Sequence, residues 1–347
     1  MSGRRLGGWA LRWIGPALFL ALLYVSDRHQ IRSLLGRARL VPLLAAAAIN
    51  LALLVIKAWR WREIMKLQAI DYGFAPSVRA YTIASGVASW TPGRLGDFTK
   101  AVSVSRDCGI SFGRAASSVI ADRLLDAFAL TLVAAAGAGL LLGPVAGTVT
   151  WCLVALAGVI AWALYRWASE AGPDRATAAL GRVGLSRAGR ELGDAIAGLE
   201  QMTLPSGRRP ATIAVVTTLV STVLTFIQGY LVAVSLRVPM PFLRLSAGLA
   251  AASIASLLPL TVSGIGIREA TLAFYLGPSG VSLGQVLSFS VAFLLIVGGS
   301  AALFGAAAYM FWRLPEARPA PVPATVAPPM PPAPPASAQA GDRGTDA

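Results

Sequence analysis

Histidine occurs once in the 347-residue chain, at His29, and cysteine twice, at Cys108 and Cys152. A single histidine excludes most histidine-based metal centres and catalytic triads, and two cysteines without partner spacing point to neither a disulfide framework nor a zinc site. Neither a metal nor a cofactor is expected. Charge is scarce as well: 13% of residues are charged against 56% hydrophobic, with a mean hydropathy of +0.66. A soluble domain carries roughly 25% charged residues, so the composition is that of a membrane protein. Acidic residues are the scarcer sign, 16 against 30 Lys and Arg, for a net charge of +14. The surplus arginines do not form a stripe interleaved with stacking aromatics, so no nucleic-acid partner is expected. They cluster beside apolar runs, where basic residues face anionic lipid and set orientation. The first apolar stretch is interrupted by Arg12 and is followed by no small-residue cleavage motif, so a cleavable signal peptide is not expected.

What the chain has in quantity is long apolar runs. A helix that crosses a bilayer needs about 20 mostly apolar residues, and six stretches meet this: 8–25, 40–58, 117–142, 145–165, 211–236 and 284–311. Two others, 77–91 and 243–258, are apolar but too short or too broken to span simply. Between the fourth and fifth spans, residues 166–210 alternate arginines with acids and place Leu180, Leu185, Leu192, Ile196 and Leu199 at roughly helical spacing. An amphipathic connector lying on the membrane surface fits that pattern. Residues 313–347 are rich in Pro and Ala, cannot bury a core, and read as a disordered tail. Trp9, Trp13, Trp59, Trp61, Trp162, Tyr165, Trp167 and Trp312 lie at span ends and read as interfacial belts. Basic residues flanking the spans (Arg4, Arg5 and Arg12; Lys57, Arg60, Arg62 and Lys66; the 166–210 stretch; Arg313) place both termini in the cytoplasm. Arg28, Arg32, Arg37 and Arg39 run against that assignment, since they fall in a loop expected outside.

The two broken segments share a pattern. "APSVRAY" places Pro76 three residues before Arg79, and "MPFLRLS" places Pro241 three residues before Arg244. Each is followed by a half-length apolar helix, a proline (Pro92, Pro259), glycines (Gly93 and Gly96; Gly264 and Gly266) and an acid (Asp97, Glu269). One segment enters from the cytoplasmic side and the other from outside, the arrangement of two broken hairpins in inverted repeat. Non-helical backbone at membrane depth is tolerated only where protein buries it or it lines a watery cavity. Glycines allow close backbone approach, and restarting helices offer free N–H groups to an anion. Arg94, Asp97 and Lys100 sit in the first break and Arg268 with Glu269 in the second, while "ADRLLDAFAL" opens the third span with Asp122 and Asp126 on one helical face and Arg123 beside them. Intramembrane charges are costly and mark function or pairing. These can neutralise one another, bind a lipid head group or carry a proton; plain ion pairs tying a hairpin to its neighbour are the other reading. "GIGIREA" echoes a dinucleotide fingerprint without the preceding strand, and Ser263 lacks a G-x-S-x-G elbow, so both are set aside.

"PGRLGDF", "DRLLD" and P-x-x-x-x-G-x-G-x-R-E, in that order, resemble the flippase-like transmembrane region of lysylphosphatidylglycerol synthases, over most of residues 8–312. The resemblance implies a polytopic bacterial inner-membrane protein that moves a lipid or lipid-linked head group between leaflets. It carries over Arg94, Gly96, Asp97, Asp122, Arg123, Asp126, Gly264, Gly266, Arg268 and Glu269 as substrate-binding positions, to which the charge pattern adds Lys100. Asp97 stands where the family more often has Glu, and Ser263-Gly264 where a Gly pair is common.

The expectation is an all-α integral membrane protein of six to eight transmembrane helices with two re-entrant broken hairpins, its membrane domain covering 1–312. Its ligand would be a membrane lipid with an anionic head group, an anionic phospholipid or a polyprenyl-linked lipid. Further partners would be a second copy of the chain or a lipid-biosynthesis enzyme. No catalytic residue is assigned, and no soluble aminoacyltransferase domain is expected after residue 312. The alternatives are an intramembrane lipid-modifying transferase with Asp122 or Asp126 as base, and a non-transporting partner of a lipid-modifying enzyme.

Overall fold

The computed structural model describes residues 24, 28–91, 93–152, 154, 155, 158, 159, 186–201, 208–256 and 265–312. Those residues form helices joined by turns, with no β-strand among them. In chain order the helices are α1 (Arg28–Gly36), α2 (Leu40–Leu67), α3 (Phe74–Ala88), α4 (Thr99–Cys108), α5 (Phe112–Leu142), α6 (Ser186–Gln201), α7 (Arg208–Ser235), α8 (Phe242–Ala255), α9 (Ile267–Leu276), α10 (Leu283–Phe293) and α11 (Ser300–Phe311). A π-helical stretch, Leu294–Gly299, joins α10 to α11, so that Leu283–Phe311 is one long helix.

Four of these helices are long and apolar enough to cross a membrane: α2, α5, α7 and Leu283–Phe311. They coincide with four of the six expected spans. The expected span 8–25 falls outside the described residues but for Tyr24; of 145–165, residues 145–152, 154, 155, 158 and 159 are described and helical, and the rest lies outside them. The tail 313–347 and the connector up to residue 185 also lie outside. Large apolar side chains such as Leu44, Val55, Leu124, Phe128, Leu219 and Leu303 are exposed on the outer faces of the four long helices. A lipid-facing surface accounts for apolar exposure on that scale, which a soluble monomer rarely shows.

Two of the expected boundaries need correction. The second span does not stop at residue 58 but continues to Leu67, carrying Lys57, Arg60, Arg62 and Lys66 within the helix. The third begins at Phe112, with the Ser111 hydroxyl accepting from the Arg114 amide at 3.3 Å, rather than at residue 117. Asp122 therefore lies about 15 Å inside α5 at 1.5 Å per residue, well away from its opening. The second span runs past Lys57 and Arg60 because Asp122 and Asp126 neutralise their charges inside the protein.

The element lengths repeat. Helices of 28, 15, 10 and 31 residues (α2 to α5) are followed by helices of 28, 14, 10 and 29 (α7, α8, α9 and Leu283–Phe311). α2 and α7 pack together antiparallel: the Thr218 hydroxyl meets Arg60 near one end, and the Gln228 amide donates to the Ala46 carbonyl at 2.9 Å near the other. The remaining helices cross over, with α11 packing on α3 and α5 on α8. Two cores result. One gathers Trp61, Met65, Tyr72, Tyr81, Val104 and Val119 of the first set, with Phe304 and Trp312 of the second packed against it. The other gathers Val232, Leu245, Leu272 and Phe289 of the second set and includes Ala46 and Ala134 of the first.

Local chemistry explains the turns. Between α2 and α3 the Arg62 Nε–H donates to the Tyr72 carbonyl at 3.1 Å, and the Tyr72 hydroxyl donates to Asp107 at 2.8 Å. Burial, reinforced by that carboxylate, pushes the Tyr72 phenol well above its ordinary range. Arg79 donates to the Trp312 carbonyl at 2.7 Å and Arg244 to that of Tyr275 at 3.3 Å, so each short helix ties down the last turn of another with an arginine from its first two turns. The α3–α11 contact rests on small residues. A Cβ at Gly86 would stand 3.0 Å from the Ala301 carbonyl oxygen and 3.3 Å from the Gly305 Cα, the close approach that small residues permit between membrane helices. Gly86→Leu is expected to destabilise by about 1–3 kcal/mol through overpacking, lowering the thermal midpoint in detergent. Gly299→Ala, where an added Cβ meets nothing within 4 Å, should leave the midpoint unchanged.

Candidate functional site

The first break separates α3 from α4. Gly93 and Arg94 both adopt left-handed backbone, with φ of 57° and 55°, and residues Leu95–Phe98 form a short 3-10 turn. Arginine pays for this conformation where glycine does not, so the position of Arg94 is held by its surroundings. The Gly96 amide donates to the Thr91 hydroxyl at 2.8 Å, and a Cβ on Gly96 would lie 2.5 Å from the Ala88 backbone nitrogen. Gly96 thus has a packing role: it lets the turn close against the end of α3.

Asp97, which is buried, receives two arginines on one oxygen: Arg123 in close contact and Arg94 at 3.4 Å. Its second oxygen has no hydrogen-bond partner among the described residues. A few residues on, the Lys100 ammonium contacts the Asp122 Oδ2 at 2.6 Å and lies 4.2 Å from the Tyr81 ring centroid and 5.0 Å from that of Trp61. The other oxygen of Asp122 accepts from Arg60 Nε at 2.9 Å and Nη2 at 2.7 Å. Arg60 Nη1 reaches Asp126 at 2.6 Å and the Thr218 hydroxyl at 3.3 Å, and Lys57 closes the set on Asp126 at 3.0 Å. Arg60, Lys100 and Asp122 are fully buried. The network therefore joins α2, the 3-10 turn, α4 and α5 within the protein, with four cations (Lys57, Arg60, Lys100, Arg123) facing three carboxylates (Asp97, Asp122, Asp126). Asp122 and Asp126 are each engaged by two cations, which is how counterions sit and not how a free general base sits.

The second break precedes α9. Gly266 has a φ of 91°, and its amide donates to the Glu269 carboxylate. The other Glu269 oxygen accepts from Arg268 Nε at 3.1 Å and Nη2 at 2.9 Å, while Nη2 also reaches the Ser290 carbonyl at 3.3 Å. The guanidinium carbon stands 5.8 Å from the Phe293 ring centroid. Gly264 lies outside the described residues.

Arg94 and Arg268 come together. Both line one cavity of about 160 Å³, together with Ser89, Ser253, Ser256 and Phe293. The π-helical stretch supplies Leu294, Val297 and Gly298 to the same wall, and Asn50 of α2 steadies it by donating to the Val297 carbonyl at 3.2 Å and the Ser300 hydroxyl at 2.7 Å. Asp97 and Glu269 stand behind the two arginines as their carboxylate partners. Lys100, Asp122, Arg123 and Asp126 do not line the cavity; they form the ion network beside it. Lys57 and Arg60 belong to that network although their sequence position reads as a basic flank. The signal that would have found them is spacing: residues 57 and 60 share a helical face, as do Asp122 and Asp126.

Residues 12–318 match the family described as the lysylphosphatidylglycerol synthase TM region. The chain belongs to that family. It is accordingly a multi-pass membrane protein of a family associated with membrane lipids. No curated protein matches the chain.

Removing one partner of a buried ion pair costs roughly 3–5 kcal/mol, because the other charge is left uncompensated. Asp122→Ala, which strands Lys100 and leaves Arg60 with Asp126 alone, is expected to fall in that range and to lower the thermal midpoint sharply. Adding Lys100→Met to Asp122→Asn removes one charge of each sign and should recover part of the loss. Absence of recovery in the double variant would show that the two residues do not compensate each other.

Proposed function

We propose that this protein moves an anionic phospholipid or a polyprenyl-linked lipid between the leaflets of a bacterial inner membrane. The observation that carries the reading is that Arg94 and Arg268, from two separate chain breaks, line one cavity. Guanidinium groups suit phosphate because they offer several N–H donors in a fixed plane. The cavity is smaller than the 300–1,000 Å³ of sites that enclose a whole drug-sized ligand, so it fits a head group whose acyl chains stay in the bilayer. Asp97 and Glu269 orient the arginines, and the network of Lys57, Arg60, Lys100 and Arg123 with Asp97, Asp122 and Asp126 keeps one surplus positive charge nearby. Gly93, in left-handed backbone, lines the cavity beside Arg94 and leaves room there for the head group.

The repeated helix lengths and the crossed packing support an inverted repeat, in which α3 with α4 and α8 with α9 are re-entrant hairpins entering from opposite faces. Counting 8–25 and 145–165, the chain then has six to eight spans with both termini in the cytoplasm. Rocking of one repeat against the other would expose the cavity to each leaflet in turn.

In vesicles reconstituted with the full chain, Arg94→Ala and Arg268→Ala are each expected to reduce translocation of a fluorescent anionic phospholipid at least tenfold. The same variants should lose the lipid that wild type retains through purification, read by mass spectrometry. Unchanged translocation in both variants would refute the reading.

A further inference from the structure

A second cavity, of about 280 Å³, lies where α2 ends and α7 begins, lined by Trp59, Arg62, Glu63, Lys66, Arg209 and Ile213. None of these residues lines the cavity between the two breaks. Three cations face a single carboxylate here. Glu63 is buried and accepts from Lys66 at 2.7 Å, with Arg62 at 3.6 Å. Arg62 also donates to the Tyr72 carbonyl, which fixes its direction, whereas Lys66 and Arg209 remain open to the outside. The pocket therefore keeps a positive surplus after its internal pairing.

Two apolar stripes lead away from it. On α2, Trp59, Val55, Leu51 and Leu44 follow one another at helical spacing and are exposed; on α7, Val216, Val220, Val223 and Ile227 do the same. Because α2 and α7 are antiparallel, both stripes start at the basic pocket and run along the long axes of two membrane-crossing helices. Trp59 sits at the junction of the polar and apolar parts, where an indole ring favours the membrane–water interface. A positive pocket above a pair of lipid-facing stripes has the charge and shape of a phospholipid's complement, with the phosphate above and the acyl chains below.

We propose that this pocket is a second lipid site, separate from the central cavity, which holds the head group of a phospholipid of net negative charge against Lys66 and Arg209. A zwitterionic head group brings its own cation into a pocket that already has a cation surplus, so it gains less. The bound lipid would clamp the last turns of α2 to the first turn of α7, the helix pair whose interior carries Arg60 and Thr218. The site does not depend on the transport reading, and the two fail on different variants.

The test uses the full chain in detergent micelles doped with phosphatidylglycerol or with phosphatidylcholine. Phosphatidylglycerol is expected to raise the thermal midpoint of wild type, and of Arg94→Ala, by several degrees more than phosphatidylcholine does. In Lys66→Ala/Arg209→Ala that difference should at least halve, and native mass spectrometry should show fewer copies of phosphatidylglycerol retained. Ile213→Glu, which puts a carboxylate beside the two cations, should abolish the difference while leaving both cations in place. Equal stabilisation by the two lipids, or an undiminished difference in both variants, would overturn the proposal. Inorganic phosphate alone reproducing the full effect would overturn it too, by showing a plain anion site.

Discussion

Asp122 has no access to solvent and sits deep in a helix that crosses the membrane, so its charge has to be met by protein. Arg60 from α2 and Lys100 from α4 meet it on its two oxygens. Arg60 in turn needs Asp126, and Asp126 holds Lys57. Much of the first set of helices follows from this requirement. α4 can deliver Lys100 only if the chain breaks after α3, and the break supplies Gly93, Arg94 and Gly96 at the depth where the central cavity lies. An isolated charge at that depth would be expensive, so the network and the break stand or fall together.

The second set of helices has nearly the same lengths but, among the described residues, no equivalent network. At the position of α7 that matches Arg60 in α2, twenty residues after the first, stands Gln228, whose amide donates to the Ala46 carbonyl. At the position of Leu283–Phe311 matching Asp122, ten residues in, stands Phe293, which faces Arg268 across the cavity. One half of the molecule is thus cross-linked by charge and the other by apolar packing, with Arg268 and Glu269 as its main buried ion pair among the described residues. Apolar contacts slide more readily than a set of mutually dependent ion pairs, and the π-helical stretch, a departure from regular α-helical bonding, lies in the apolar half.

Much of the plan was legible in the sequence, and particular residues show where legibility ends. Hydropathy located four of the long helices, and Pro76–Arg79 matched to Pro241–Arg244 marked the starts of the two short ones. The breaks were readable because glycine and proline have few other uses in an apolar run. Arg60 was misread as a flanking charge because basic residues near a span end usually face the interface; only the pairing with Asp122, far along the chain, reveals that α2 continues through it. The late start assigned to α5 has the same cause. The crossing of α11 onto α3 was not legible either, since Gly86 and Gly305 look like any other small residues until their helices meet. Arg94 and Arg268 could be nominated separately, but that they share a wall depends on that crossing.

The crossing also bears on the order in which the molecule can be assembled. Arg79 is 233 residues upstream of the carbonyl it caps, and the small residues of α3 have no partner until α11 has been made. Synthesis runs from the N-terminus, so the first set of helices enters the membrane with its charges already able to pair but with one flank of α3 still bare. The ion network can therefore form early, as a preassembled half, and the central cavity can close only once the last helix arrives. A chain interrupted before α11 would keep Asp122 satisfied and still have no complete site.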